Sequence, residues 1–177
     1  RFQRGYRPGG SGLNLGPTLN GDAPEVFQFD PEFTDNIELA YRSQFNDGRS
    51  TLNANVFYTR YDDIQIATQG DRNFFDNFIT NGGSAELWGA EVDFRTQIAP
   101  DLSVFASAAY SHTEYGSFTL LGAQLEGNEF PSAPRFAASF GAEYEFSNGL
   151  RVAADANYTS SSFSDPRNDP QFRNGDY

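Results

Sequence analysis

Between Ala85 and Ile98 the sequence reads AELWGAEVDFRTQI, and its side chains alternate with a period of two. Successive residues of a β-strand project to opposite faces, so this stretch is a strand with an oily face (Trp88, Ala90, Val92, Phe94, Thr96, Ile98) and a charged face (Glu91, Asp93, Arg95). A helix would scatter these residues around its axis. The charged face requires water or partners.

The same period recurs along the chain. Asn36–Phe45 sets Ile37, Leu39, Tyr41 and Phe45 against Asn36, Glu38, Arg42 and Gln44. Thr51–Ile66 sets Leu52, Ala54, Val56 and Tyr58 against Asn53, Asn55 and Thr59, with the alternation weakening after Arg60. In Leu102–Tyr115, Leu102, Val104, Ala106, Ala108 and Tyr110 share a face, while Phe105 and Ala109 interrupt the polar one. Arg135–Ser147 opposes Phe136, Ala138, Phe140, Ala142, Tyr144 and Phe146 to Arg135, Ser139, Gly141, Glu143 and Glu145; Leu150–Thr159 opposes Leu150, Val152, Ala154, Ala156 and Tyr158 to Arg151, Asp155 and Asn157. Arg1–Tyr6 reads as the end of a further strand, of ambiguous register.

Connections alternate between short and long. Asn46-Asp47-Gly48-Arg49, Ala99-Pro100-Asp101 and the turn at Asn148-Gly149 are tight, and Asp-Gly and Asn-Gly tolerate the positive φ of hairpin turns. The intervals 7–31, 67–83, 116–134 and 160–177 read as long loops, and the Gly- and Pro-rich run Arg7–Gly16 predicts no regular structure. All short turns therefore fall at one end of an up-and-down antiparallel sheet. Aromatics gather near the strand ends, Phe45 and Phe146 at the short-turn end and Tyr58, Trp88, Tyr110 and Tyr158 towards the long loops, as amphipathic rings do at headgroup level.

Composition narrows the classes further. A net charge of −12 and a pI near 4.3 argue against a nucleic-acid partner, which needs a basic patch. With 18 Phe and 9 Tyr at a mean hydropathy of −0.58, the chain carries many apolar rings in few apolar runs. No window approaches the ~20 apolar residues of a transmembrane helix, so a membrane role must be built from strands, for which ~9–11 residues suffice. Such strands must belong to a closed barrel, because unpaired backbone groups are not tolerated in hydrocarbon. The expected fold is all-β, an antiparallel up-and-down transmembrane β-barrel. Single-chain barrels have an even number of strands from eight upward, so with six or seven visible here either a strand is missing or the chain is part of a larger ring, and the truncated ends favour the second. The chain has no Cys, no Met and no Lys, and without an initiating Met it reads as an internal piece of a longer protein.

Several motifs carry a family resemblance. Asp30-Pro31-Glu32 followed by Asn36-Ile37-Glu38-Leu39-Ala40-Tyr41-Arg42 resembles the "PE…(Y)ELGYK" strand of TonB-dependent outer-membrane receptors, and Val56–Gln65 is similar to that family's next strand. Asn81-Gly82-Gly83-Ser84-Ala85 with Gly89-Ala90-Glu91-Val92 resembles its "N-G-x-A…G-(V)-E" pattern. Pro131-Ser132-Ala133-Pro134 resembles its "x-x-A-P" lead into a strand, and Arg4–Gly10 its "S-(R/K)-G-(Y/F)-(K/R)-P-G-G" strand end. The resemblance implies a barrel of about 22 strands plugged by an amino-terminal domain. Residues 1–177 would be a segment of its carboxy-terminal half, in the outer membrane of a Gram-negative bacterium, with the plug and the final strand outside the chain. It implies active uptake of a scarce nutrient such as a ferric siderophore. The expected partners are outer-membrane lipid, the plug, the TonB complex through the missing amino-terminal region, and the small-molecule ligand.

On the polar face, Glu91, Asp93, Arg95, Arg135, Glu143, Glu145, Arg151 and Asp155 are expected to face the lumen, as cross-strand ion pairs or contacts to a plug or substrate path. In the loops, Arg72, Phe74, Phe75, Phe130, Arg167, Phe172 and Arg173 combine stacking surfaces with fixed guanidinium groups, which suits capture of an anionic aromatic ligand. No catalytic residue is expected: carboxylates in a wet lumen need no chemistry, and Ser111 and His112, adjacent in a strand, point apart. Asp62-Asp63 and Asp165…Asn168-Asp169 offer oxygen ligands without the spacing of a known cation loop, so neither a metal site nor a cofactor is expected. The competing readings are a small unplugged outer-membrane porin or structural barrel, and a soluble glycan-binding β-sandwich.

Overall fold

The computed structural model describes residues 1–69, 73, 75–120 and 122–177. Its main element is one antiparallel sheet of seven strands, β1 (Phe2–Arg7), β2 (Glu32–Phe45), β3 (Ser50–Gln69), β4 (Asn77–Ala99), β5 (Leu102–Tyr115), β6 (Phe136–Glu145) and β7 (Arg151–Thr159), paired in sequential order. The tight turns form as their residues dictate: Asn46, Asp47, Gly48 and Gly149 all have positive φ.

Register turns the alternation of single strands into continuous rows. Tyr41, Ala54, Val92, Ala108, Ala138 and Tyr158 are directly paired from β2 to β7, and the next row is Arg42, Asn53, Asp93, Ser107, Ser139 and Asn157. One row is apolar and its neighbour polar, so the whole sheet has one oily and one wet face. Side chains as distant as Glu38 on β2 and Asn157 on β7 line a single cavity of about 430 Å³ on the polar side. Strands five places apart meet around one cavity only if the sheet curls, so the polar face is the concave one.

The convex face is uncovered. Leu39 is 72% exposed, Phe140 66% and Ile98 60%. From Trp88 to Ile98 the strand rises roughly 33 Å at ~3.3 Å per residue, which projects to roughly 25 Å at a tilt of ~40°, the height of a lipid-facing band. Rings edge this band at both ends: Trp88 lies against Tyr110 (5.6 Å) and Phe136 against Tyr158 (6.0 Å), with Phe45 and Phe94 (6.4 Å) and Tyr144 and Phe146 (4.7 Å) towards the short turns. A soluble sandwich would cover this face with a second sheet, whereas the remaining ladders among the described residues are short ribbons of two strands.

Phe105 and Phe57, bulky residues on the polar face, each lie over a glycine of the neighbouring strand. A Cβ at Gly141 would approach the Phe105 ring to 2.6 Å, and one at Gly89 the Phe57 ring to 2.7 Å. Aromatic cover of this kind shields backbone that has no side chain of its own. Phe105→Ala should lower the stability of the intact barrel by about 1–3 kcal/mol, below the ~3–5 kcal/mol of a fully buried phenylalanine, as read by urea denaturation.

Four loop readings are corrected. The interval 67–83 is not all loop: β3 and β4 remain paired up to Gln69 and Asn77. The Gly-rich run does hold regular structure, since Gly10–Asn14 pairs with Glu25–Phe29, stabilised by rings at Phe27, Phe29 and Phe78. The intervals 116–134 and 160–177 carry the small ribbons Thr119–Leu120 with Ala123–Gln124 and Ser162–Phe163 with Arg173–Asn174. The weakening of alternation after Arg60 also has a cause. Asp63 (φ 57) and Gly83 (φ 26) face each other across the hairpin, both left-handed. Beyond them Ile64 and Ile66 pack with Ala85, Tyr115 and Phe118, on the side that residues of odd number occupied below.

Candidate functional site: the concave wall and its outer mouth

The predicted polar-face residues share one parity of the registered sheet, but few of them pair. Glu145 and Arg151, directly opposite in β6 and β7, form an ion pair at 3.0 Å. Arg135 reaches the loop residue Glu129 instead (2.6 Å), and Arg95 lies over the Phe105 ring (5.6 Å to the centroid) with no carboxylate within ion-pair distance among the described residues. Asp93 accepts a hydrogen bond from Asn53 (3.3 Å) and Asp155 one from Asn157 (2.9 Å), while Glu91 and Glu143 have no ion-pair partner among the described residues. The wall is thus acidic and largely unneutralised. Ser107 and Ser139 bond each other (2.7 Å), and buried Asn55 Oδ1 has no partner.

The hydrophobic core lies at the long-loop end. Ala85, Tyr115, Phe118, Leu120 and Leu125 are its buried members, with Tyr61, Ile64, Ile66, Ala123 and Phe130 packed around them. Tyr61, Ala85 and Tyr115 belong to the polar-side parity, so the 116–134 loop folds over the concave mouth. Gly116 N–H donates to Ser84 O (2.7 Å), and Phe118 covers Gly82 so closely that a Cβ there would overlap its ring. Burial pushes the Tyr115 phenol, beyond the aromatic girdle, above its ordinary value; burial and then Glu32 do the same for Tyr61. Both rings stay neutral across the physiological range.

Polar latches, invisible as pairings in the sequence, hold the remaining loops. Asn81 accepts the Asp30 N–H (2.7 Å) and donates to the carbonyls of Asp30 and Asp63 (both 2.9 Å). Gln65 donates to Pro8 O and Asp30 O (both 3.0 Å), and its own N–H is accepted by Glu32 (2.7 Å). Asp30-Pro31-Glu32 and Asn81-Gly82-Gly83, motifs far apart in the chain, are thereby one joint. A buried bond from Asn14 to Asp76 (2.6 Å) fastens the Gly10–Asn14 ribbon to the outer end of β4.

Of the loop candidates, Arg72 and Phe74 lie outside the described residues. Phe130 is partly buried, packed against that core with its ring tilted on Tyr115 at 4.8 Å. Phe75 and Phe172 are exposed, 52% and 56%, and Arg167 is exposed. Arg173 lies over Phe163 (5.6 Å) and donates through Nε (3.1 Å) and Nη2 (2.7 Å) to Ser161 Oγ, a partner that sequence reasoning missed because one of three consecutive serines carries no signal. His112 stacks on Trp88 (5.2 Å) beside Glu114 (3.3 Å) on the convex side. The Asp165 carboxylate accepts the Asp169 N–H (3.1 Å), and no group of three or more potential metal ligands is assembled among the described residues.

A curved meander that is apolar outside and acidic inside, with its long loops gathered over one mouth, is a section of the wall of a membrane-spanning β-barrel. Over residues 1–177 the chain matches the family described as TonB dependent receptor-like, beta-barrel, and it belongs to that family. It is 30% identical over 104 residues to the "Ferrichrome outer membrane transporter/phage receptor" of Escherichia coli K12, covering 56% of this chain and 13% of the relative. Among solved structures it is similar to the ferric yersiniabactin uptake receptor FyuA from Yersinia pestis, with 26% identity and a TM-score of 0.75 over 99% of this chain and 25% of that one. The siderophore receptor PiuA from Acinetobacter baumannii, 22% identical, shares the fold with a TM-score of 0.66 over 84% of this chain and 21% of its own. The chain therefore spans a quarter or less of the length of these relatives. They are outer-membrane receptors and transporters, and the family is not one of enzymes.

Proposed function

We propose that this chain is a wall segment of an outer-membrane receptor that imports a ferric siderophore in a TonB-dependent manner. The observation that carries the reading is the division of faces and ends: a bare convex face for lipid, an acidic concave wall for a plug, and folded loops over one mouth for ligand. The similarity to FyuA along 99% of the chain supports iron chelates as the cargo. In this reading Glu91, Asp93, Arg95, Glu143 and Asp155 face the plug or the substrate path, with Arg135, Glu145 and Arg151 bracing the two ends of β6 and β7. Passage is gated by the plug and driven through TonB from a region outside this chain.

The test is uptake of ⁵⁵Fe-labelled chelates by iron-starved cells with and without the gene. The expected result is a chelate whose uptake requires the gene and stops when the proton motive force is collapsed. Gene-dependent entry of small solutes that survives that collapse would instead support the unplugged porin and overturn the proposal.

A further inference from the structure

We infer that Arg4 and Arg60 form a docking site for the phosphate of an outer-leaflet glycolipid, on the convex face just beyond the aromatic girdle at the long-loop end. This depends on the convex face being the lipid face, and goes beyond the transport reading. Register carries the girdle outward in two further rows. Tyr58, Trp88 and His112 are directly paired; two residues further out, Arg4, Asp35, Arg60, Glu86 and Glu114 form one continuous row, and beyond it stand Tyr6, Phe33 and Asp62. The charged row lies roughly 7 Å past the girdle at ~3.3 Å per residue, which is headgroup level. The long loops mark this end as the outer one.

The two arginines are held in place without being used up. Arg4 lies over the Phe33 ring (5.2 Å to the centroid) and meets Asp35 at 3.6 Å, longer than a hydrogen bond. Arg60 donates through Nε to Asp62 Oδ1 (3.2 Å). Among the described residues neither guanidinium donates a hydrogen bond through its Nη groups, and the side chains are 61% and 55% exposed. Both planar forks are therefore open to phosphate, which they match bidentately. The two residues stand two strands apart, roughly 10 Å at ~4.8 Å per strand, a gap that two long side chains close on one phosphate. The acids at the other end of the row are occupied: Glu86 accepts the Tyr58 hydroxyl, and Glu114 stands beside His112 (3.3 Å). Their charge at β4 and β5 confines an anion to β1–β3. Outside the arginines, Tyr6 stacks on Phe33 (6.2 Å) and is exposed; a ring with an apolar face and a polar tip at this height suits a sugar. Below them, exposed Ile37 and Leu39 belong to the oily band. Oily band, open forks and exposed ring follow one another in the order of a phosphorylated glycolipid: acyl chains, phosphate, outer sugars.

The experiment displaces a fluorescently labelled rough-form lipopolysaccharide from the purified full-length receptor in detergent. Three competitors are compared: the unlabelled lipopolysaccharide, its dephosphorylated form, and phosphatidylglycerol, which has the phosphate without the sugars. The intact form should compete about tenfold better than either of the others. Arg4→Gln and Arg60→Gln should each weaken it about threefold, and together about tenfold or more. Arg49→Gln, which removes the same charge in the tight turn at the opposite end of the barrel, should leave it unchanged. Tyr6→Ala should narrow the advantage over phosphatidylglycerol while the dependence on phosphate remains. Heat-modifiable migration on gels confirms that each variant is folded. Equal weakening by Arg49→Gln and Arg60→Gln would mean diffuse attraction and overturn the site, as would a dephosphorylated competitor as good as the intact one. Phosphatidylglycerol competing as well as the intact form would overturn the glycolipid as occupant. The transport reading is tested separately by the ⁵⁵Fe assay and survives each of these outcomes.

Discussion

Replacing Phe140 by Arg in the intact barrel should cost about 2–4 kcal/mol of folding stability in lipid bilayers, the penalty of a guanidinium near the midplane. Phe140 stands at mid-height of β6 on the convex face, 66% exposed, and is paired with Ala106 on one side and Ala156 on the other. These small neighbours offer an introduced charge no polar partner, so it must snorkel or drag water into the band. Asp93→Asn, which faces the other way and bonds Asn53, should change stability by less than about 1 kcal/mol. Urea titrations of the two variants in vesicles check the pair, and equal losses would remove the assignment of faces.

Gly83→Ala should be the most damaging single change outside the lipid band. At φ +26 an alanine is strained, and its Cβ would run into the backbone carbonyl of Ser117, which cannot swing aside as a side chain could. Left-handed strain of ~1–2 kcal/mol and overpacking of ~1–3 kcal/mol together predict a local loss of about 2–5 kcal/mol. The loss falls on the seat of the 116–134 loop, since the Gly116 bond to Ser84 adjoins the clash. The sheet below should survive. Limited proteolysis of the variant is therefore expected to cut first within 116–134, with the barrel still migrating as folded; resistance equal to wild type would contradict the kinked joint at Asp63 and Gly83.

The sheet was legible because the strands after the first declare their faces with a period of two and two of the three tight turns carry their own positive-φ residues. Within the tight-turn hairpins the pairs of Tyr41 with Ala54, Val92 with Ala108 and Ala138 with Tyr158 follow from turn geometry, whereas those of Ala54 with Val92 and Ala108 with Ala138 cross longer connections that fix no register. Reading by parity fails where the backbone itself inverts: at Asp63 and Gly83, left-handed residues between the pairs Asp62 with Ser84 and Ile64 with Gly82, the faces are exchanged, so Ile64 packs against the core although its number places it outside. The ribbon of Gly10–Asn14 was hidden because its stability comes from Phe27 and Phe29 across a long gap, not from its own glycines. The candidate site was legible as a set of residue types but not as contacts. Parity placed Arg135 on the polar side, yet its partner Glu129 comes from a loop whose path no periodicity describes. Phe130 carries the aromatic chemistry of a ligand contact, and its packing against Tyr61 and Tyr115 at the edge of the core was not legible in the sequence.

The most direct test of the barrel wall is nitroxide scanning of β4 in the full-length receptor reconstituted in bilayers, with labels placed singly at consecutive positions from Trp88 to Ile98. No native cysteine in this segment competes for the label. Oxygen accessibility, which reports lipid, should peak at Ala90, Val92, Phe94 and Thr96, while accessibility to a water-soluble nickel chelate should peak at Glu91, Asp93 and Arg95 with the opposite phase. Accessibilities that rise and fall together along the strand, or a nickel signal at Val92 and Phe94, would contradict it.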